Sequence, residues 1–354
     1  MTRPPGNPKI KAMDILSTPV EEPSVWKAGD YRQDDRWIEH FSDRHLKEID
    51  AALAHVKSQG IGRGADFGRH DFPLDTLADL LCDQLEILER GRGFIFLRGL
   101  PVERYDLDDL TAIYWGLGTH LGDGIYQNAQ GDLVGHVTDH GQKFEGDDPY
   151  KYNIRAYTTT VSIPPHTDSC DLVGLLCVRP SISGGESAVV SSTALYNEFL
   201  ASRPDLLEPL YEGFHLDLVG KGTTEKELTQ HPIPVFSYWG GKLSCRYNKG
   251  QIEHGAQKSG DRLTALQQEA VDYFRELSLR PDLRLEMEFR PGDIQILNNR
   301  TTLHSRTAFD DDADPAKRRL LLRLWLNSFT PRPMHPAFAN QLNTGARGAV
   351  TVRS

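Results

Sequence analysis

From Gly122 onward, the chain is a series of short strand-like segments separated by turns. Leu172 to Val178 is a nearly continuous apolar run, which is typical of a buried strand. Residues 233–247 hold two apolar runs joined by a glycine pair, and this pattern predicts a β-hairpin. Leu283 to Phe289 alternates apolar and charged residues, and an Arg-Pro-Gly-Asp turn separates it from another strand at 294–297. Many short strands with frequent turns indicate a sandwich or a barrel.

Helices are predicted mainly before this region. Apolar residues recur at spacings of three to five between Asp35 and Gly60, which indicates an approximate amphipathic helix. Two more helices are predicted there, over residues 74–89 and 107–117. Another two, over residues 194–201 and 264–277, interrupt the strand series and do not belong to the N-terminal layer. The sequence therefore predicts a mainly β body with flanking helices.

At about 150 residues per domain, a chain of 354 residues would form about two domains. All-β folds, however, often form a single domain of this length. We expect an extended N-terminal arm over 1–35, because that segment is rich in proline, glycine and charge. Residues 36–336 are expected to form a single domain with a helical N-terminal layer, and residues 337–354 a C-terminal tail.

Charge and composition exclude several classes of partner. Forty Lys and Arg against 50 Asp and Glu leave a net charge of −10, the wrong sign for binding nucleic acid. No apolar run approaches the roughly 20 residues that span a bilayer, and the N-terminus lacks the apolar segment of a secretion signal. Four cysteines without a CxxC pair predict reduced thiols. We therefore expect a cytoplasmic protein that binds neither nucleic acid nor membrane.

The tripeptide His166-Thr167-Asp168 places an imidazole and a carboxylate two residues apart. In an extended segment their Cα atoms lie about 6.6 Å apart on one face, so that both side chains can reach one ion. Two histidines and one carboxylate with open positions suit non-haem Fe(II) and oxygen chemistry. The motif follows Pro164-Pro165 and precedes a buried strand, and strand ends are places where sites are built.

A second motif of this kind, His215-Leu216-Asp217, has a different setting. Apolar residues alternate with polar ones around it, which is typical of a strand with one face in water. We therefore interpret His215 and Asp217 as a solvated surface pair.

A third ligand must come from a distant segment, and His304 is the best candidate. It follows the strand after the Arg-Pro-Gly-Asp turn and comes shortly after two asparagines. On spacing alone, a hydrogen-bonded loop histidine is an equally good interpretation of this residue.

The strand-like segment from Arg319 to Leu326 places its leucines at 320, 322, 324 and 326 on one face. Arg319 and Arg323 share the opposite face with Trp325, and an arginine there needs water or an anion for its donors. Guanidinium groups favour carboxylates, although a face in contact with solvent is an equal alternative. The Gly184-Gly185-Glu186-Ser187 segment could be a turn only, or Ser187 could supply a hydroxyl to the same anion.

Taken together, these motifs resemble the taurine dioxygenase-like (TauD/TfdA-type) family of Fe(II)/2-oxoglutarate-dependent oxygenases over roughly 97–336. The resemblance rests on their order along the chain: His166-Thr167-Asp168, Gly184-Gly185-Glu186-Ser187, His304, and Arg319 with Arg323. It implies a double-stranded β-helix, that is, a jelly-roll or cupin-like barrel. Two features depart from the family pattern: the Asp-rich residues 310–315 lengthen the connection from His304 to Arg319, and Ser187 stands where some relatives have threonine.

The resemblance also implies roles for individual residues. Iron would be held by His166, Asp168 and His304, and Arg319, helped by Ser187, would bind the distal carboxylate of 2-oxoglutarate. Arg323 would lie near the substrate or brace the co-substrate. Further pocket residues could come from a set that core packing or surface exposure explains equally well: Tyr126, Tyr152, Tyr157, Tyr247 and Arg246.

The implied activity is that of a dioxygenase that uses Fe(II), 2-oxoglutarate and O2 to oxidise an unactivated C–H bond, releasing succinate and CO2. Related halogenases replace the carboxylate ligand with a small residue, so the presence of Asp168 favours hydroxylation. The expected substrate is a small molecule, anionic or amino-acid-like. Desaturation, cyclisation or epimerisation, a macromolecule-directed hydroxylase, a hydrolytic zinc site and a non-catalytic ligand-binding barrel are the alternatives. The sequence leaves the oligomeric state open, a homo-oligomer included.

Overall fold

The computed structural model describes residues 13–61, 65–142, 144–146, 154–219, 221 and 227–352. The helices of this part are α1 (Asp43–Ser58), α2 (Thr76–Arg90), α3 (Leu107–Gly118), α4 (Ser192–Ser202), α5 (Leu207–Glu212), α6 (Lys249–Ser259), α7 (Ala265–Ser278) and α8 (Pro336–Ala339). The strands are β1 (Ile38–His40), β2 (Phe94–Arg98), β3 (Gly122–Gly124), β4 (Val134–Val137), β5 (Ile163–His166), β6 (Leu172–Arg179), β7 (Ser183–Gly184), β8 (Ser187–Ser191), β9 (Phe236–Trp239), β10 (Lys242–Cys245), β11 (Arg284–Met287), β12 (Ile294–Asn298), β13 (Thr302–Arg306), β14 (Phe309–Asp310) and β15 (Leu320–Ser328).

Two sheets form the centre of the molecule. The larger one has the order β1-β2-β12-β6-β15-β3, with β4 also paired to β15, and only its β1–β2 pair is parallel. The smaller one has the order β11-β8-β13-β5 and is antiparallel throughout. The predicted hairpin is confirmed as β9–β10, which turns at two glycines with positive φ.

Alternation along the strands divides the core into layers. Leu322 and Leu324 of β15 pack with α1, α2 and α3 on the outer face of the larger sheet. Leu321 and Trp325 belong instead to a cluster that includes Leu285 and Met287 of β11, and this cluster fills the space between the sheets. Helices α4, α5 and α7 cover the outer face of the smaller sheet. The mainly β body with flanking helices is therefore confirmed.

The predicted helix boundaries need one correction. Helix α1 begins at Asp43 rather than near Asp35, because Ser42 caps it by accepting a hydrogen bond from the His45 backbone N–H at 3.2 Å. Trp37 precedes β1 and packs edge-on against Phe94 of β2, with ring centroids 5.6 Å apart. Its spacing continues the helical pattern, but its tertiary contacts place it outside the helix.

The N-terminal and C-terminal segments both contact this body where they are described. Trp26 is buried and meets Phe94 edge-on at 5.2 Å between ring centroids. Near the other end of the chain, Arg347 forms an ion pair with buried Asp171 at 2.5 Å. The four cysteines form no disulfide within the described chain. No helix in that part is both long and apolar enough to cross a bilayer.

Candidate active site

His166, Asp168 and His304 meet at one edge of the smaller sheet. Strands β5 and β13 are antiparallel neighbours, and their register pairs His166 with His304, whose rings lie 4.2 Å apart between centroids. Asp168 follows β5 by two residues, and one ligand atom from each of the three residues lies within 4.8 Å of the others. His304 lies on a strand, so it is not the loop histidine of the alternative interpretation. The structure thus brings together the three residues that the sequence singled out.

The protonation states of these groups suit a divalent cation. Nδ1 of His166 lies 2.9 Å from the Pro164 carbonyl oxygen and donates to it, which leaves the Nε2 lone pair available. Burial lowers the pKa of both histidines, that of His304 to about 3, so both imidazoles are neutral near pH 7. Burial alone would raise the pKa of Asp168, but Arg323 and the two histidines outweigh it and keep the carboxylate ionised. Neutral imidazoles and an ionised carboxylate are the forms that bind metal, and this donor set fits Fe(II).

Two hydrogen bonds hold Asp168 in place, one at its carboxylate and one at its backbone. The indole N–H of Trp325 donates to its Oδ2 at 2.9 Å, and the Asp168 backbone N–H donates to Asn299 Oδ1 at 3.0 Å. Nε2 of His166 lies 4.0 Å from Oδ1, and Nε2 of His304 lies 3.9 Å from Oδ2. Such supporting groups fix the orientation of a metal ligand. Sequence reasoning assigned no role to Trp325 or Asn299, although alternation already placed Trp325 on the face of Arg323.

The cavity beside these three residues has a volume of about 760 Å³ including its open mouth, and two buried arginines line one end of it. Arg319 is 4% exposed, and its Nη1 hydrogen-bonds to no described residue. Arg306 donates through Nη2 to the carbonyl oxygens of Thr159 and Val161, while its Nε and Nη1 likewise find no acceptor in the described chain. Buried guanidinium groups with unused donors are suited to binding an anion.

Other features of this end agree with an anion site. Burial, together with neighbouring Arg319, lowers the pKa of Arg306 to about 9, so the Arg306 guanidinium group is still charged near pH 7. Ser187 is buried and lines the same cavity, where its Oγ accepts a hydrogen bond from Gln295 Nε2 at 3.5 Å. Sequence reasoning missed Arg306. Strand alternation could have found it, because it lies two residues after His304 and shares a strand face with it.

The remaining basic residues of the cavity include Arg323, whose Nη1 lies 4.0 Å from Asp168 Oδ2. Arg323 is buried, donates from Nε to Gln127 Oε1 at 2.7 Å, and lies over the Tyr157 ring at 4.4 Å from the centroid. Lys221 and Arg155 also line the cavity, and sequence reasoning missed both. Neither residue lies in a recognisable motif, so no local pattern could have indicated them. The solvent-facing alternative for the arginine face of β15 is wrong, because the smaller sheet covers that face.

The four tyrosines and one arginine that were candidates for the pocket lie in different parts of the structure. Tyr157 lines the cavity. Tyr126 is 40% exposed, Tyr247 is buried in the core formed with α7, and Arg246 is buried without lining the cavity. Tyr152 lies outside the described residues.

The interpretation of the second HxD motif as a solvated pair is wrong for Asp217. Its side chain is 2% exposed and forms an ion pair with Lys258 at 2.7 Å. His215 lies 2.8 Å from the Thr229 carbonyl oxygen through Nδ1. Neither residue lines the cavity, so this motif takes no part in the site.

Comparison with sequence families finds one match over most of the chain. The model of the "Taurine catabolism dioxygenase TauD, TfdA family" matches residues 57–325. FR-33289 synthase from Streptomyces rubellomurinus is 32% identical over 318 residues, which cover 89% of this chain and 92% of that protein. The taurine hydroxylase-like protein SAT17 from Stachybotrys chartarum is 28% identical over 316 residues, covering 87% and 80%. A uridine-5'-phosphate dioxygenase from a Streptomyces species is 28% identical over 151 residues, covering 42% and 53%.

Solved structures share the fold at low sequence identity. An asparagine oxygenase in complex with Fe(II), 2S,3S-3-hydroxyasparagine and succinate has a TM-score of 0.64 and 18% identity, covering 82% of this chain and 94% of that one. The non-haem iron oxygenase OrfP in complex with Fe and alpha-ketoglutaric acid has a TM-score of 0.58 and 12% identity, covering 89% and 99%.

Proposed function

Because this chain belongs to the TauD, TfdA family of dioxygenases, we propose that it hydroxylates an unactivated C–H bond of a small, anionic or amino-acid-like molecule. The chain is an Fe(II)- and 2-oxoglutarate-dependent dioxygenase. The proposal adds the outcome, hydroxylation with release of succinate and CO2, and the substrate class.

One observation carries the proposal. His166, Asp168 and His304 converge within 4.8 Å at a cavity whose far end holds Arg306 and Arg319 with unused N–H donors. A metal site and an anion site in one cavity provide for a redox metal and a dicarboxylate co-substrate at the same time. The carboxylate of Asp168 fills the position that a halogenase would leave open, and this favours hydroxylation.

The chain's own residues have defined tasks in this reaction. His166, Asp168 and His304 would hold the iron, which when bound supplies the oxidising chemistry of dioxygen. Arg319, with Ser187 beside it, would bind the distal carboxylate of 2-oxoglutarate. The two sheets wall the cavity and keep bulk water from the reacting groups.

The relatives support the substrate class. The uridine-5'-phosphate dioxygenase is named for an anionic small molecule, and the asparagine oxygenase was solved with a hydroxylated amino acid. Arg323 lies on the cavity wall next to Asp168, where it would contact such a substrate or brace the co-substrate.

We also propose that the two sheets form the double-stranded β-helix (jelly-roll, cupin-like) and that residues 36–336 are one domain. The pairing order supports this fold, since the strands alternate between the larger and smaller sheets in a jelly-roll sequence. In chain order β4 is in the larger sheet, β5 in the smaller, β6 larger, β8 and β11 smaller, β12 larger, β13 smaller and β15 larger. A cytoplasmic location remains a proposal, as does the absence of a nucleic-acid partner, which the net charge of −10 supports.

The proposal is tested with purified protein and candidate substrates added one at a time. Anaerobic addition of Fe(II) and 2-oxoglutarate should produce a metal-to-ligand charge-transfer absorption. Admission of O2 should then release succinate, and the true substrate should increase that release and gain one oxygen atom by mass spectrometry. Well-folded protein without oxygen-dependent succinate formation would favour a ligand-binding barrel or a hydrolytic zinc site instead.

A further inference from the structure

We propose that Lys221, Arg155 and Arg323 form a second anion site in the cavity, and that this site binds a doubly charged phosphate or phosphonate group of the substrate. The inference rests on the proposed function and specifies its substrate class. Arg323 Nη1 lies 4.0 Å from Asp168 Oδ2, and Arg323 is four residues from Arg319, which would hold the co-substrate, a distance of about 13 Å along an extended segment.

Lys221 is the most informative member of this site. It is 3% exposed yet lines the cavity, and no described carboxylate lies within ion-pair distance of its ammonium group. Its Nζ lies 4.9 Å from the centroid of the Trp325 ring. Burial and the nearby Arg155 lower the pKa of Lys221 well below its ordinary range. Lysine is almost never fully buried unless it is paired, and because no described carboxylate pairs with this side chain, an anionic ligand group would supply the partner.

The two arginines are held in position beside it. The Tyr157 ring lies against both guanidinium groups, at 5.3 Å from Arg155 and 4.4 Å from Arg323. Arg155 donates from Nη1 to the Val219 carbonyl oxygen at 3.2 Å, and Arg323 uses only Nε for its hydrogen bond to Gln127. Arg323 Nη1 also lies 4.0 Å from Asp168 Oδ2, but the remaining terminal N–H groups of both arginines have no hydrogen bond to a described residue, and the preorganised positions reduce the entropy cost of binding a ligand there.

The charge of the cavity indicates how many negative charges the ligand carries. The ionisable basic and acidic side chains that line it are four arginines, one lysine and one carboxylate: Arg155, Arg306, Arg319, Arg323, Lys221 and Asp168. A divalent metal and dianionic 2-oxoglutarate cancel each other, so the arginines alone leave the loaded cavity an excess of three positive charges over Asp168, and Lys221 adds a fourth when a bound anion keeps it protonated, while the whole chain carries −10. An enclosed excess of this size favours a ligand with more than one negative charge.

A phosphorus oxyanion meets this requirement in one group. A phosphate monoester carries about −1.5 to −2 charges near pH 7 and offers three acceptor oxygens, which suits one ammonium and two guanidinium groups. A sulfonate has the same tetrahedral shape but a single charge, and a carboxylate is planar and singly charged. A phosphate or phosphonate therefore differs from a sulfonate of the same shape in its charge, and this difference can be tested.

The test uses the full chain loaded anaerobically with Fe(II) and saturating 2-oxoglutarate, so that the Arg306 and Arg319 end is filled. Isothermal titration calorimetry measures the binding of methyl phosphate, methylphosphonate and methanesulfonate. We expect at least tenfold tighter binding of one or both phosphorus compounds than of methanesulfonate. Lys221→Met should weaken that binding at least tenfold. Lys317→Met removes the same charge from a side chain that is 69% exposed, and it should leave all three affinities unchanged.

Equal affinities for the three probes, or identical behaviour of Lys221→Met and Lys317→Met, would overturn the inference. If Lys221→Met does not fold, the comparison of the three probes on the unaltered protein decides the question alone. Preference for methyl phosphate assigns a phosphate ester, preference for methylphosphonate a phosphonate, and either supports the site. Succinate release without any probe reports the proposed function separately. If succinate is released but the protein does not prefer the phosphorus compounds, only this inference is wrong. If no succinate is released, the proposed function is wrong.

Discussion

Replacement of Arg319 by glutamine should weaken the use of 2-oxoglutarate without unfolding the protein. The side chain is buried at the cavity end, and its Nη1 hydrogen-bonds to no described residue. The hydrogen bond from its backbone N–H to Asp311 Oδ1, 2.7 Å long, does not depend on the side chain. Because the substitution removes a buried charge without a described partner, the free energy of unfolding should stay the same or rise.

The size of the effect follows from the bonds that the guanidinium would make to the co-substrate. A hydrogen bond to a charged group contributes about 1.5–3 kcal/mol, and Gln at position 319 retains at most a neutral donor. A loss of about 2 kcal/mol corresponds to a rise of roughly 30-fold in the KM for 2-oxoglutarate. The rate at saturating 2-oxoglutarate should change much less, because Arg319 would bind the end of the co-substrate that does not react.

The assay measures succinate release as a function of 2-oxoglutarate concentration, alongside thermal unfolding. Arg179→Gln is the matched control, since Arg179 ends β6 outside the cavity and donates from Nε to the Arg318 carbonyl oxygen at 2.8 Å. An unchanged KM in Arg319→Gln would refute the assignment of this residue to the co-substrate. A loss of more than about 2 kcal/mol in the free energy of unfolding would show that its role is structural.

Three other predictions test the metal site and its surroundings. His304→Ala should abolish Fe(II) binding in equilibrium dialysis while His215→Ala retains it, and the opposite result would mean that the wrong HxD motif was chosen. Trp325→Phe should weaken Fe(II) binding about tenfold through loss of the hydrogen bond to Asp168, as is common for groups that orient a metal ligand, and unchanged affinity would contradict this role. Burial raises the pKa of Glu89 to about 7, so the stability it contributes is complete below its unfolded value of 4.5 and is lost as pH rises through about 7. Between pH 4.5 and 7, the free energy of unfolding measured with denaturant should fall by up to about 3 kcal/mol, and this pH dependence should be absent in Glu89→Gln.

The secondary structure of the centre was predictable because alternation is a local property. Leu322, Leu324 and Leu326 of β15 face the N-terminal helices, and the opposite face holds Arg319, Leu321, Arg323 and Trp325, as the period of two requires. The sequence left open whether that second face meets water or protein. The smaller sheet decides this, since it covers the arginines and converts a possible surface row into the wall of a cavity.

The two HxD motifs show a similar limit. Each places a histidine and an aspartate at the same separation, so spacing alone cannot choose between them. His166 is selected because β5 pairs with β13 in the register that sets it opposite His304. Asp217 is committed instead to the ion pair with Lys258, a contact between α6 and a segment more than 40 residues earlier. The ordered set of motifs identified the family and singled out His166 and His304, and strand pairing sets these two residues opposite each other.

Periodicity was enough to predict the strand-rich body, and the order of the motifs, through the family resemblance, singled out the residues proposed to hold iron and the co-substrate. The positions of Lys221, Arg155 and Arg306 around the same cavity, and the indole of Trp325 behind Asp168, came only from folding. Periodicity reports which way a side chain points relative to its own strand. The neighbours that it meets there depend on sheet register and on the paths of connecting segments, which contacts between residues far apart in the chain determine.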